Sequence, residues 1–312
     1  MAPLFFARQR RIARRVLLPD TAGMKPSFLV RLLAGLVLLL PLTAFARPAL
    51  WVVKDADTTI YLFGTVHLLP KGTDWRSRTL DQALHDSRTL YLEIVDDDQA
   101  HMTALVLRYG LDPAHPLASL IDANEQGRLQ RAARIVEVPG GSAALNMMRP
   151  WLAALTLSMA PLTKAGLDPA QGVDKQLRAA MEAAGKPVLG LETAEQQIRF
   201  LADMPQALQL ALLRSTLRDN DRASVQLKAI LDAWLGGDDA AIARLENALM
   251  QREEPQLYRH LLVDRNKVWA ARIKAMLEQP GTVFIAVGAA HLAGPDSVQA
   301  QLATLGISST RE

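Results

Sequence analysis

Six histidines occur in the 312-residue sequence, and two of them repeat a pattern. Gly64-Thr65-Val66-His67 and Gly288-Ala289-Ala290-His291 each close an apolar run, with the histidine three residues after a glycine. Glycine at that position allows a sharp turn or the close approach of another group. Open α/β sheets bind ligands at the C-terminal ends of their strands, so a histidine there is placed to hold a metal or move a proton. Either histidine alone could be a satisfied side chain at a strand–loop junction. Their repetition at opposite ends of the chain points to a shared role. Glu93 is the third candidate, within the apolar run Thr89 to Val95 (TLYLEIV). An unpaired buried carboxylate is costly, so Glu93 needs a metal, a cation or a chemical task unless that strand edge is open to solvent.

Glu192 closes the run Pro187 to Leu191 and is a second carboxylate at a strand end, or a simple helix-terminus charge. Asp174 stands at the start of a helical pattern and reads first as an N-cap or first-turn acid, with a site role as the alternative. Arg265 could bind a carboxylate or steady Glu93 or Glu192, or lie on the surface. Its neighbour Asn266 shares a helical stripe with Leu262, Trp269 and Ile273, and an asparagine on an apolar face must find a partner. His85, His101, His115 and His260 carry no such pattern. The acidic runs Asp96-Asp97-Asp98 and Asp238-Asp239 lack the spacing and glycine of a calcium loop.

Strands and helices must bring these residues together. Leu50 to Lys54 and Thr58 to Thr65 flank Asp55-Ala56-Asp57, which reads as a hairpin turn. Thr89 to Val95, Pro187 to Leu191 and Thr282 to Val287 are the remaining apolar runs. Runs apolar on both faces suit strands covered by helices on both sides. Helical patterns cover Trp75 to Ser87, much of Asp122 to Ala184, and Thr193 to Leu277, interrupted at Pro139-Gly140-Gly141, Pro150 and Gly236-Gly237. Thr193 and Gln196 make a capping box. The expected fold is α/β: a central mostly parallel or mixed sheet flanked by helices, carrying a large helical insertion.

The whole chain holds 35 Lys+Arg against 32 Asp+Glu, a net charge of +3, with a pI near 9.3. That basic balance belongs to the N-terminus. Lys25 and Arg31 precede the apolar run Leu32 to Leu42, and Ala44-Phe45-Ala46 has the small residues of a signal-peptidase site. Residues 1–46 therefore read as a signal peptide cleaved after Ala46, with 1–23 a possible upstream extension, and 47–312 as a single domain. The apolar stretch is short beside the roughly 20 residues of a membrane span. Cleavage leaves 28 bases and 31 acids, so the mature chain has no electrostatic footprint for nucleic acid. A periplasmic or secreted product without a stable membrane span is expected. The absence of cysteine excludes disulfides, thiolate metal sites and a cysteine nucleophile. No HExxH, GxSxG, phosphate-binding loop or dinucleotide fingerprint is present.

LFGTVHLLP, YLEIV, GVDKQL, GLET followed by Gln196-Gln197, AWLGGD, DRNK and AVGAAHLAG resemble the TraB/GumN family in order and spacing. The resemblance covers about residues 48 to 308. One departure is the tail LGISSTRE, short and polar where a final apolar strand is expected. The resemblance implies an α/β fold shared with erythromycin-esterase and ChaN-like proteins, and kinship with the Tiki proteases, which are metal-dependent. Carried over by position, it implies His67, His291 and Glu93 as active-site residues, with Arg265 as companion. The expected function is an exported metal-dependent hydrolase, a peptidase, acting on a peptide or small-molecule substrate. His67, His291 and Glu93 would hold a divalent ion such as Zn, Mn or Co. Two alternatives stay open: a metal-free, esterase-like hydrolase using His67 and Glu93, and a binding protein whose histidines carry haem or a metal without turnover.

Overall fold

The computed structural model describes residues 47–312 except 96, 97, 165 and 220–222, all within one unit, Phe45–Glu312. The expected signal peptide and two of the three acids at 96–98 lie outside the described residues. Among the described residues, no helix is long and apolar enough to cross a membrane.

The first hairpin forms where the sequence places it. β1 (Leu50–Lys54) pairs antiparallel with β2 (Thr58–Thr65). Asp55 closes the turn by accepting the N–H groups of Asp57 and Thr58 on one carboxylate oxygen. After the short β3 (Leu69–Pro70), α1 (Arg78–Asp86) begins later than the apolar pattern suggests. The Ser77 side chain accepts the Leu80 N–H and sets that start. Trp75, before the cap, is buried and stacks on Phe63.

β4 (Thr89–Leu92) comes next, then the insertion opens with α2 (Gln99–Gly110), α3 (Ala123–Ile135), α4 (Gly141–Asn146) and α5 (Pro150–Lys164). The two-residue β5 (Leu167–Asp168) pairs with β3, and α6 (Val173–Ala183) leads into β6 (Val188–Gly190). More helices succeed it: α7 (Ala194–Ala202), α8 (Gln206–Asp219), α9 (Ala223–Leu235) and α10 (Asp239–Ile242). A π turn at Ala243–Asn247 joins α10 to α11 (Ala248–Glu253), which precedes α12 (Pro255–Tyr258). A second π turn, Arg259–Val263, opens into α13 (Asp264–Met276). The chain closes with β7 (Gly281–Gly288), α14 (Val298–Thr304) and β8 (Thr310–Arg311).

Six strands form one mixed sheet in the order β6-β4-β7-β2-β1-β8. β6, β4, β7 and β2 run parallel; β1 and β8 are antiparallel to their neighbours. The architecture is thus the expected α/β fold. The polar tail supplies only two edge residues, both exposed.

Alternation along the strands assigns the two sheet faces. Phe63, Phe284 and Ala286 point into one core with Leu80, Val173, Leu177 and Trp234. Leu62, Val283, Ile285 and Val287 point into the other with Trp269, Ile273, Val298 and Leu302. Burial on both faces is why these strands read as continuous apolar runs. The insertion has its own core, in which Leu129, Leu145, Leu157 and Leu213 meet.

A second boundary also differs from the sequence reading. β4 stops at Leu92, so Glu93 lies just beyond the strand instead of inside it. Pairing with the segment after β6 continues, since the Leu191 and Glu192 N–H groups donate to the Leu92 and Glu93 carbonyls. The Glu93 side chain accepts the Gly288 N–H at the end of β7.

Candidate active site

β2 and β7 are parallel neighbours with Thr65 opposite Gly288, so both glycine–histidine motifs leave the sheet at one edge. β4 adds Glu93 on the far side of β7, and β6 adds Glu192 beyond it. Four strand ends therefore deliver four candidates to the C-terminal edge of the parallel strands, where such sheets place their ligands.

Glu93 is the hub. Its Oε1 accepts the Gly288 N–H at 2.7 Å and lies 4.0 Å from His291 Nε2. Its Oε2 accepts from Arg265 Nη2 at 2.7 Å and from Gln197 Nε2 at 3.2 Å. A Cβ added to Gly288 would stand 3.1 Å from Glu93 Oε1, a tight contact that would push the carboxylate back by a few tenths of an ångström, so glycine here favours its close approach to the backbone. Burial alone would raise the Glu93 carboxyl. The charges of His291, Arg265 and His67, with the Gly288 N–H, overcome it and hold the group down at about 2. Arg265 is the partner in this set that stays charged throughout.

Arg265 and Asn266 are consecutive, and both are buried on α13 directly after the π turn at Arg259–Val263. Such one-residue widenings recur at functional sites because they re-aim side chains. The Arg265 fork grips Glu192 through Nε (2.8 Å) and Nη2 (2.7 Å). Its Nη1 faces His291 Nε2 at 3.2 Å, and the guanidinium lies 4.7 Å from the Trp269 ring centre. Burial raises the Glu192 carboxyl although Arg265 pulls it down. The two acids on one arginine are thereby set apart in proton affinity.

His291 is buried against Trp269, with ring centres 4.5 Å apart. Its Nδ1 and Asn266 Oδ1 are separated by 2.6 Å. Asn266 Nδ2 donates to the Asp296 carbonyl, so Oδ1 is the end that faces the ring and Nδ1 carries the proton. Nε2 is left with its lone pair toward Glu93 and Arg265. Burial lowers the His291 pKa to about 4, so the ring is neutral at pH 7.

His67 has different surroundings. Its side chain is exposed on a pocket of about 220 Å³ that also presents Thr65, Glu93, Asp174 and Gln197. Its Nδ1 lies 3.2 Å from Asp174 Oδ1, and this hydrogen bond is the main cause that raises its pKa. Asp174 is a first-turn residue of α6, whose N-cap is Gly172. A Cβ at Gly172 would fall 2.6 Å from the His67 carbonyl oxygen. That close docking, with the Val173 N–H donating to Val66, carries Asp174 to the histidine.

All seven sequence candidates thus meet at one sheet edge, in two layers. His67, Glu93 and Asp174 line the pocket. Arg265, Glu192, His291 and Asn266 stand behind Glu93. Arg265 is a positioning residue for the carboxylates and does not reach the pocket wall. His85 and His115 pair with nearby aspartates, and His260 with the Phe200 carbonyl. Sequence reasoning missed Gln197, whose only trace was its place after the GLET motif. It also missed Thr65, which lines the pocket and whose buried hydroxyl has no hydrogen-bond partner among the described residues. Glu246, in the first π turn, is raised by burial and electrostatically coupled to His67. Nothing in its local sequence marks it.

A model of the TraB/PrgY/gumN family matches residues 49–311. The uncharacterized protein YbaP of Escherichia coli (strain K12) is 33% identical over 259 residues, 83% of this chain and 93% of YbaP. YbaP of Shigella flexneri is 33% identical over 176 residues, 56% of this chain and 64% of that protein. No solved structure matches. The chain belongs to the TraB/PrgY/gumN family.

Proposed function

We propose, with membership of the TraB/PrgY/gumN family as the premise, that the protein is an exported hydrolase, a peptidase, working at the His67–Glu93 pocket. The observation that carries this is the splitting of proton affinities within one cleft: His67 is raised while Glu93 is held at about 2, behind which His291 falls to about 4 and Glu192 rises. Opposed shifts of that kind are how one site keeps an acid, a base and a fixed charge at a single pH.

In this reading Asp174 holds the Nδ1 proton of His67 and leaves Nε2 as the base. His67 Nε2 takes a proton from water as the water oxygen bonds to the scissile carbonyl carbon. The same proton passes to the leaving amine as the carbon–nitrogen bond breaks, giving a carboxylate and an amine. The Glu93 charge stabilises the imidazolium formed in between. The Gln197 amide, on the pocket wall, is a neutral group available to orient the substrate.

A divalent ion suits part of this donor set. His291 Nε2 carries its lone pair because Asn266 holds Nδ1–H, the usual outer-shell arrangement of a ligating histidine, and Glu93 is ionised. His67, His291 and Glu93 are the residues that would hold Zn, Mn or Co. Such an ion would supply an acidified water and a polarised carbonyl. The metal-free reading is favoured by one distance: Arg265 Nη1, a fixed cation, already faces His291 Nε2 at 3.2 Å.

Peptide-library and ester cleavage by the purified protein, with metal content measured on the same sample, tests the proposal. Turnover in the wild type, absent in His67→Ala, is expected. A wild type that cleaves nothing, or a His67→Ala variant of undiminished rate, overturns it. Stoichiometric metal that is needed for turnover selects the metal-dependent reading, and turnover unaffected by chelation selects the metal-free one. Export predicts a mature N-terminus at Arg47, read by N-terminal sequencing. Retention of Leu32 to Leu42 in the product would remove that part.

A further inference from the structure

We infer that Trp234 and Asn247 are positioning residues for the two glycine–histidine motifs, each holding the backbone of one motif from the helical segment between β6 and β7. This role presupposes that hydrolysis occurs at the His67–Glu93 pocket. It also gives a task to AWLGGD, residues 233–238, which supplies no side chain to that pocket.

AWLGGD stops one helix and starts the next. The Asp238 N–H donates to the Ala233 carbonyl at 2.8 Å, and the Gly237 N–H to the Trp234 carbonyl at 3.0 Å. Those paired bonds form a Schellman stop, with Gly237 in the left-handed conformation at φ 64°. Asp238 then caps α10 by accepting the Ala241 N–H at 2.8 Å. The stop leaves Trp234 in the last turn of α9, buried against Phe63 and Trp75. Its Nε1 donates to the Gly64 carbonyl at 2.8 Å. β1 pairs with β2 only as far as Phe63, and Gly64 is the next residue.

α10 runs on into the π turn at Ala243–Asn247, whose last residue is buried. Asn247 Nδ2 donates to the carbonyls of Ala290 (2.9 Å) and Ala293 (2.8 Å), one on each side of His291 in the chain. The motifs also meet directly. A Cβ at Gly64 would stand 3.1 Å from Ala289 Cα, a tight contact that glycine relieves. Trp234 thus holds the strand end three residues before His67, and Asn247 holds the turn that carries His291. A buried acceptor that loses its donor must go unpaired or move. Moving either motif displaces its imidazole relative to Glu93, and a shift of about 1 Å at a catalytic group costs up to roughly 10²-fold in rate.

Two variants of the purified chain test this. Trp234→Phe keeps an aromatic ring and removes the indole donor. Asn247→Leu keeps the volume and removes both bonds, with Asn247→Ser in its place if the leucine variant does not fold. Each is measured for turnover on the peptide the wild type cleaves best, and for amide hydrogen exchange by mass spectrometry without substrate. In each variant kcat should fall about tenfold with KM within about twofold, as for groups misplaced around bound substrate. Exchange should rise locally, over 64–67 in Trp234→Phe and over 289–293 in the Asn247 variant. Folded variants with wild-type kcat overturn the inference. So does exchange raised evenly along the chain, with kcat lost only in proportion to unfolded protein. A wild type that cleaves nothing removes the hydrolase reading instead. Exchange then still tests whether the two residues hold the motifs, and rates unchanged at both segments overturn that too.

Discussion

His67 and His291 leave adjacent parallel strands through the same glycine-x-x-histidine pattern, yet their side chains are 59% and 6% exposed. The cause lies in the segment after each strand. Past Gly288 the chain tightens into a 3₁₀ turn, Ala289–Leu292, which folds His291 beneath α13 between Asn266 and Trp269. Asn247 secures that turn by donating to the carbonyls of Ala290 and Ala293. Past Thr65 the chain runs on toward β3, and α6 docks by Gly172 onto the His67 backbone, leaving the ring in the pocket. Burial then lowers the pKa of one imidazole, and a carboxylate raises that of the other. The motif decides where the ring starts. The neighbouring segments decide its charge.

The largest effects should separate the two by function. His67→Ala should cut turnover by about 10²-fold or more, the usual worth of a positioned base, with little change in the melt because the ring is exposed. Glu93→Gln should match that loss per folded molecule, since the amide cannot balance an imidazolium and binds metal poorly. A destabilised Glu93→Gln protein with undiminished activity would return this carboxylate to a purely structural role. Thermal melts beside turnover, with metal content, distinguish the outcomes.

Next in size is His291→Ala, which opens a cavity at Trp269 and strips Asn266 Oδ1 of its partner. We expect a loss of about 2–4 kcal/mol in denaturant unfolding. If its turnover per folded molecule falls as far as that of His67→Ala, the two histidines act as one unit and the metal-bound reading gains. If turnover is largely kept, His291 is a scaffold for Glu93.

The pH dependence of stability should also divide them. His291 titrates at about 4 when folded and near the free value of 6.5 when unfolded. The unfolded chain therefore binds the extra proton between those values, and stability should fall as pH drops from 6.5 to 4. The steepest slope from one proton is about 1.4 kcal/mol per pH unit. Glu93, held at about 2, adds a loss further down, below its ordinary 4.5. His67 has the opposite sign: its raised pKa contributes stability at low pH that is lost as pH rises through the folded value. Denaturant melts at a series of pH values should show the slope between 4 and 6.5 in the wild type and its disappearance in His291→Gln.

The smallest expected effect concerns Asp174. If the base is neutral His67, the rate should climb through its raised pKa, giving an acidic limb above 6.5. Asp174→Asn removes the main raising contact and should move that limb to lower pH, with only a several-fold change at neutrality. A limb that stays in place would separate Asp174 from the base.

Much of the architecture was legible in the chain because it is local. β1 and β2 begin and end where alternation and the Asp55-Ala56-Asp57 turn place them, and Thr193 with Gln196 caps α7 as its side chains dictate. Those features need only a few neighbouring residues. The candidates at the strand ends were readable for a related reason: a carboxylate or histidine closing an apolar run conflicts with the run around it. Asn266 stood out in the same way on its apolar stripe.

Contacts between residues far apart in the sequence were beyond that reach. Glu93 and Gly288 lie 195 residues apart, and Arg265 and Glu93 172 apart. Whether a carboxylate is paired, and which of two identical motifs buries its histidine, depends on which segments the sheet order brings alongside. The division of the seven candidates into a pocket layer and a buried layer was decided there, as was the burial of the Thr65 hydroxyl without a partner among the described residues. A residue's type and spacing determine what chemistry it can offer. Its protonation state depends on dielectric and on charges a few ångströms away, and only the folded chain supplies those.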